Sequence, residues 1–248
     1  MRRLISIEIL KLRTTPALYV STAIVAVLTV ASVISNILLA GRSGAPPLGS
    51  VDNVAKVLSV AAVSTVVAMT MGIIVLAGEY RTRTIVGTYL AEARRGRVLV
   101  AKLVTITGFS ALLGALTFGL GLAVAKVLYS AKGVHHLPVD VPRLWIGAIL
   151  GTACYGLLGV ALGALTRNTV GAIIGGIVWV FVIEVGILQP AFPSVAKWLP
   201  TGAAVAITSG GSDAAKFLPP VAAALVLLGW TVVLSGIAAR FTLSRAVR

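Results

Sequence analysis

The chain has 248 residues, of which 58% are hydrophobic and 11% charged, with a formal net charge of +14 and a mean hydropathy of +1.03. A water-soluble domain carries about a quarter charged residues, so this composition excludes an ordinary soluble fold. The basic residues are spread over many positions rather than gathered on one face, which excludes nucleic acid as the partner that the charge would otherwise suggest.

Residues 1–15 carry Arg2, Arg3, Lys11 and Arg13 together with Glu8. On a helical wheel Arg2, Ser6 and Arg13 fall opposite Leu4, Ile5 and Leu12, so the segment reads as a helix lying at an interface, with Glu8 and Lys11 interrupting its apolar face. Pro16 marks a break. Apolar runs follow at 17–40, 57–77, 103–125, 144–166, 168–188 and 217–239. A hydrocarbon core about 30 Å thick needs roughly 20 apolar residues in a helix, and each run meets that length. An open sheet edge cannot be satisfied in lipid, so six membrane-spanning helices are expected in a single transmembrane domain. A cleavable signal peptide is not expected, because the first run is too long for an h-region.

The links between spans set orientation. With the N-terminus inside, 14 of the 21 Lys and Arg residues fall on the inner side, which places both termini in the cytoplasm by the positive-inside rule. The link 41–56, with Gly, Ser and two Pro, reads as an outer loop. The link after the second span is the longest charged segment. Within it Ile85, Val86, Tyr89 and Leu90 share a stripe about 140° wide at 100° per residue, the pattern of a short amphipathic helix on the inner side. The outer link 131–142 holds His135 and His136, whose adjacency suits a solvated loop rather than a metal site. Thr166-Arg167-Asn168 forms a tight inner turn. The last outer link, 189–216, contains Pro190, Pro193, Trp198, Pro200 and an apolar stretch at 203–207. It is too apolar for a solvated loop and too broken to span, so a re-entrant or surface-lying element is expected, with Trp198 at the headgroup level. Small residues recur at four-residue spacing (Gly147/Gly151, Gly159/Gly163, Gly171/Gly175), which permits close helix approach within one subunit.

The chain lacks the residues of several chemistries. It holds no phosphate-binding loop and no His-Glu-x-x-His zinc motif. Neither a catalytic nor a metal site is expected, and no cofactor in this chain. Cys154 lies inside a span and reads as a packing residue. Glu184 is the acidic residue inside a predicted span, about four residues from its outer end; it reads either as a pathway or gating group or as a partly hydrated structural carboxylate. A self-contained transporter or channel driven by an ion gradient would use such a group. A membrane enzyme lacks a catalytic constellation here.

The segment Gly78-Glu79-Tyr80-Arg81-x-x-Thr84-Ile85, with Leu90 and Arg94-Arg95-Gly96-Arg97-x-Leu99-x-x-Ala101-Lys102-Leu103, resembles the permeases of the ABC type 2 exporter family. Glu8-x-x-Lys11-Leu12-Arg13-Thr14-Thr15 resembles the start of the same permeases, especially actinobacterial ones, and Trp198-Leu199-Pro200 is a weaker match. The resemblance implies an all-α membrane protein of the type V exporter kind in a bacterial cell membrane. Its six spans would be joined by an N-terminal interfacial elbow helix (1–15), a cytoplasmic coupling region (79–97) and an outer re-entrant element (189–216) that includes Trp198 and Pro200. It further implies a multidrug or other efflux permease subunit, paired as a homodimer with a second permease chain. Two copies of a separate cytoplasmic ABC ATPase would bind ATP and Mg. Glu79, Tyr80, Arg81, Arg83, Thr84, Ile85, Val86, Tyr89 and Leu90 would form the surface coupled to that ATPase. Spans rich in Ala, Val, Leu and Gly suit an apolar or amphiphilic cargo such as a drug, lipid or peptide antibiotic.

Overall fold

The computed structural model describes residues 1–42, 44–81, 95–208 and 217–244. The chain is 85% helical, with no strand among the described residues. Helix α1 (Arg2–Thr14) leads into α2 (Pro16–Leu38), followed by α3 (Val51–Leu58), α4 (Ala61–Arg81), α5 (Arg95–Ala131) and α6 (Val141–Thr166). Helix α7 (Thr169–Ile177) continues directly into a π-helical segment, Val178–Leu188. Two short turns (Gln189–Ala191 and Pro193–Ala196) lead to α8 (Pro200–Thr208), and α9 (Pro220–Ser244) closes the bundle. Six helices among the described residues are long and apolar enough to cross a membrane: Pro16–Leu38, Val51–Arg81, Gly96–Ala131, Val141–Thr166, Thr169–Ala191 and Pro220–Phe241. They support a multi-pass membrane protein.

The helix ends follow from local chemistry. Thr15 is extended, as a residue before proline must be, and Pro16 opens α2 without a missing donor. Asp140 caps α6 by accepting from the Arg143 N–H at 3.1 Å, and Asn168 caps α7 by accepting from Gly171 N–H at 3.1 Å. Between α6 and α7, Arg167 takes a left-handed conformation (φ 54°) that turns the chain back in three residues. The 37 residues of α5 make a rod of roughly 55 Å at 1.5 Å per residue, far longer than a hydrocarbon core of about 30 Å. Its two ends therefore stand at opposite faces of the bundle, and the first of them carries Lys102.

Two stretches differ from the expectations of the sequence. The link 41–56 is not wholly a loop: from Val51 it is helix α3, capped by Ser50 and buried through Asn53, Val54, Val57 and Leu58. Val54, Val57 and Leu58 pack in one apolar cluster with Tyr129 of α5, and Asn53 is buried with its Oδ1 accepting a 2.6 Å hydrogen bond from the Tyr129 hydroxyl. The fifth span is not α-helical throughout either, its second half being the π-helical segment. The expected amphipathic helix of the coupling region, with Arg83, Thr84, Ile85, Val86, Tyr89 and Leu90, lies outside the described residues.

Helix α6 is the central post. Of its apolar window 72% is buried, against 22% for α9. Glycines permit the contact with α4: a Cβ on Gly72 would overlap the Gly156 carbonyl oxygen, one on Gly159 would overlap that of Met69, and one on Gly163 would lie 3.0 Å from that of Ile73. The hydroxyls of Ser64 and Thr152 share a buried 3.1 Å hydrogen bond across the same seam. Gly159/Gly163 thus packs two helices of one chain, whereas Gly151 and Gly175 have nothing within 4 Å of an added Cβ. The outward faces of α2, α7 and α9 stay apolar, with Val27, Ile174, Val221 and Val232 more than half exposed. In water such faces would aggregate; in a bilayer they are the lipid surface.

Gly159→Ala is expected to force α4 and α6 apart and to cost about 1–3 kcal/mol, the range for an overpacked core. Gly175→Ala, with open space around its Cβ, should cost nothing. SDS-unfolding titrations of the purified variants compare the two; equal effects would remove the glycine seam as a determinant of the fold.

Candidate functional site

Helix α1 turns one stripe toward the bundle, and that stripe is mixed: Leu12 and Glu8 are both buried. Glu8 meets one charge from its own helix, Lys11, and one from another, Lys102 of α5. Lys102, near the start of α5, is 1% exposed and donates to Glu8 Oε2 at 2.8 Å and to Glu79 Oε1 at 2.7 Å. Lys11 donates to Glu8 Oε1 at 3.1 Å and to the same Glu79 Oε1 at 2.9 Å. The four side chains form a closed ring of alternating sign, Lys11–Glu8–Lys102–Glu79, in which each carboxylate touches both ammonium groups. The ring is neutral, and it fastens α1, the last turn of α4 and the first turns of α5 to one another.

Burial pulls against the charge of Lys11, but the hydrogen bond and charge of Glu79, followed by those of Glu8, outweigh it and hold its pKa above the ordinary lysine value. Lys11 is therefore charged at neutral pH. One atom of the ring is not satisfied: Glu79 Oε2 is buried without a hydrogen-bond partner. An open cavity of about 400 Å³ lies beside it, lined by Glu8, Lys11, Thr15, Gly78, Glu79 and Arg81.

Tyr80 extends the arrangement. The Arg167 guanidinium lies over its ring, 5.0 Å from the centroid, a cation–π contact. The last turn of α4 thus holds α1 and α5 through Glu79 and the α6–α7 turn through Tyr80. Of the sequence-derived coupling residues, the structure brings Glu79 and Tyr80 into this hub and places the exposed Arg81 at its rim. Glu79 spends its charge inside the chain, on Lys11 and Lys102, rather than presenting it outward. Glu8, Lys11 and Lys102 complete the ring. In the sequence Lys11 and Lys102 count only as basic residues of the inner side, although the interruption of the α1 apolar face by Glu8 and Lys11 signals that partners are needed.

Glu184 lies toward the opposite end and is 1% exposed. The wider π turn brings residues five apart onto one face, and the Trp179 indole N–H donates to Glu184 Oε1. Glu184 Oε2 accepts from the Thr201 N–H at 2.8 Å. Thr201 is the second residue of α8, after Pro200, which has no N–H to offer. The carboxylate therefore serves as a borrowed cap, and its negative charge faces the positive end of the α8 dipole. The Thr201 hydroxyl in turn shares a 2.9 Å hydrogen bond with Tyr155 of α6. Both oxygens of Glu184 are engaged by fixed donors. Pro200 is buried; Trp198 is half exposed, and its carbonyl accepts from the Trp230 indole of α9 at 2.9 Å. Among the described residues no three His, Cys, Asp or Glu side chains gather as metal ligands.

No protein-family model matches the chain, and no curated protein matches it.

Removing one member of a buried ion pair costs about 3–5 kcal/mol, because the other is left unpaired. Lys102→Met is expected to lose stability in that range, since Glu8 and Glu79 then compete for Lys11. Lys102→Met combined with Glu79→Gln restores neutrality and should recover part of the loss. SDS unfolding of the two single variants and the double variant measures it, and strict additivity would show that the ring is not a coupled unit. Glu184→Ala strips two donors of their acceptor and is expected to cost about 1–3 kcal/mol for the buried Thr201 N–H alone. Protease accessibility of the 189–208 segment should rise in that variant; an unchanged digestion pattern would refute the anchoring role.

Proposed function

We propose that the chain is the membrane-spanning permease subunit of an ATP-driven exporter, worked by a separate cytoplasmic ATPase that binds ATP and Mg. The observation that carries this reading is the hub at the end of α4. A device that takes its energy from another protein needs a rigid receiver joined to several spans at once. The last turn of α4 is such a receiver, bound to α1 and α5 through Glu79 and to the α6–α7 turn through Tyr80. The segment that follows it in sequence, with Arg83, Thr84, Ile85, Val86, Tyr89 and Leu90, is the docking surface in this reading, and a push on that segment reaches four helices. The resemblance of residues 78–103 to ABC type 2 permeases supports the same assignment. Two permease chains and two ATPase subunits make the working unit, in a bacterial cell membrane with both termini in the cytoplasm. In this reading the segment 189–216 is the outer re-entrant element, and Glu184 anchors it at Thr201. The cargo is apolar or amphiphilic, in keeping with spans of Ala, Val, Leu and Gly.

The purified chain is expected to hydrolyse no ATP. A photocrosslinking residue at Arg81, Ile85 or Tyr89 should capture, in cells, a protein that carries a nucleotide-binding phosphate loop, whereas one at Trp198 should not. In the assembled complex Tyr80→Ala is expected to lower ATP turnover while the subunits remain bound. Solute movement by the chain alone in vesicles, under an imposed proton gradient and without ATP, would overturn the reading in favour of an ion-gradient transporter.

A further inference from the structure

A groove of about 540 Å³ runs between α1, α2 and α5, apart from the charge ring. Its lining is apolar (Ile9, Leu12, Leu18 and Leu112 among others) except for Arg13 and two threonines. Along α5 it extends from Val104 to Leu116, roughly 18 Å at 1.5 Å of rise per residue. That is about the depth of one leaflet of a 30 Å hydrocarbon core. The rim is exposed, with Ile9 at 44% and Leu112 at 58%. Arg13, in the last turn of α1, is exposed, and its guanidinium makes no hydrogen bond or ion pair among the described residues. Gly108 lines the middle of the groove, and a Cβ built on it meets nothing within 4 Å. No neighbouring helix requires this glycine, and its missing side chain leaves the groove open.

One cationic group and a leaflet-long apolar channel together match an amphiphile with an anionic head. We propose that this groove binds an anionic phospholipid of the leaflet that holds α1, with one acyl chain lying along α5 across Gly108 and the phosphate taken by Arg13. The guanidinium supplies paired donors to phosphate oxygens, and the chain buries apolar surface that the helices leave uncovered. The site does not depend on the exporter reading, since it uses neither the ring nor the segment after α4.

The test is native mass spectrometry of the full chain in detergent, supplied with equal amounts of phosphatidylglycerol and phosphatidylcholine bearing identical acyl chains. The wild-type chain should retain phosphatidylglycerol several-fold more than phosphatidylcholine. Arg13→Gln should abolish that preference and Arg13→Lys should largely keep it. Gly108→Leu, which fills the groove from a position with open space, should lower retention of both lipids. Equal retention of the two lipids by the wild-type chain would overturn the proposal, and so would unchanged phosphatidylglycerol retention in Gly108→Leu. A Gly108→Leu chain that loses dimer but not lipid would likewise overturn it, assigning the groove to a second copy of the chain.

Discussion

A carboxylate or an ammonium taken out of water costs several kcal/mol, and a protein can bear it only where every such charge is met by its opposite at contact distance. At the α1 end of this bundle four groups satisfy that condition together or not at all. Glu8 divides its two oxygens between Lys11 and Lys102, while Glu79 gives one oxygen to both lysines. No member can move away without stranding another. The ring therefore sets the angle of α1 against the spans more firmly than its apolar contacts can, since eight of the 13 residues of α1 are exposed and only Glu8 and Leu12 are buried.

The ring also decides what kind of object α4 is. Along its length α4 meets α6 backbone to backbone, through Gly72, Gly156 and Gly159, where no side chain is present to yield. At its end Glu79 and Tyr80 reach four further partners, Lys11, Lys102, Arg167 and, through Lys102, Glu8. A helix held flat along one side and pinned at its tip transmits displacement rather than absorbing it. This is the mechanical content of the exporter reading, and it rests on contacts between residues that are far apart in sequence.

That separation explains what the sequence could and could not tell. The six apolar helices were legible because hydropathy and length are properties of contiguous residues, and so was the break at Thr15-Pro16, where the proline ring itself imposes the geometry. The ring was not legible. Glu8 and Lys102 are 94 residues apart, and each alone looks like an ordinary charge at a helix end. The helical wheel of α1 did show Glu8 and Lys11 on the apolar side, a conflict that only tertiary partners resolve. Helix α3 was hidden for a similar reason: Gly and Pro before it suggested a loop, while its buried face meets partners far off in sequence, Asn53 bonding Tyr129 from 76 residues away. The π-helical segment begins with a run of bulky residues, Val178-Trp179-Val180-Phe181-Val182-Ile183, that suits an α-helix equally well by pattern; the pairing of Trp179 with Glu184 distinguishes the two.

The distribution of directional bonds gives the bundle a definite mechanical character. Among the described residues two groups of buried charged and charge-assisted bonds stand out, the ring at the α1 end and the Glu184–Thr201–Tyr155 relay toward the other. Between them the α4–α6 seam is glycine and apolar surface, with the Ser64–Thr152 hydroxyl pair crossing it. Apolar and van der Waals contacts have little directional preference and tolerate sliding, whereas an alternating four-charge ring has one low-energy arrangement. Motion compatible with this pattern keeps the ring intact and carries α1, α4, the start of α5 and the α6–α7 turn, which Tyr80 holds through Arg167, as one piece. Glu184 has a role that fits its two fixed donors: it holds the start of α8 against the fifth span, so that a shift of α6 reaching Tyr155 also reaches Thr201.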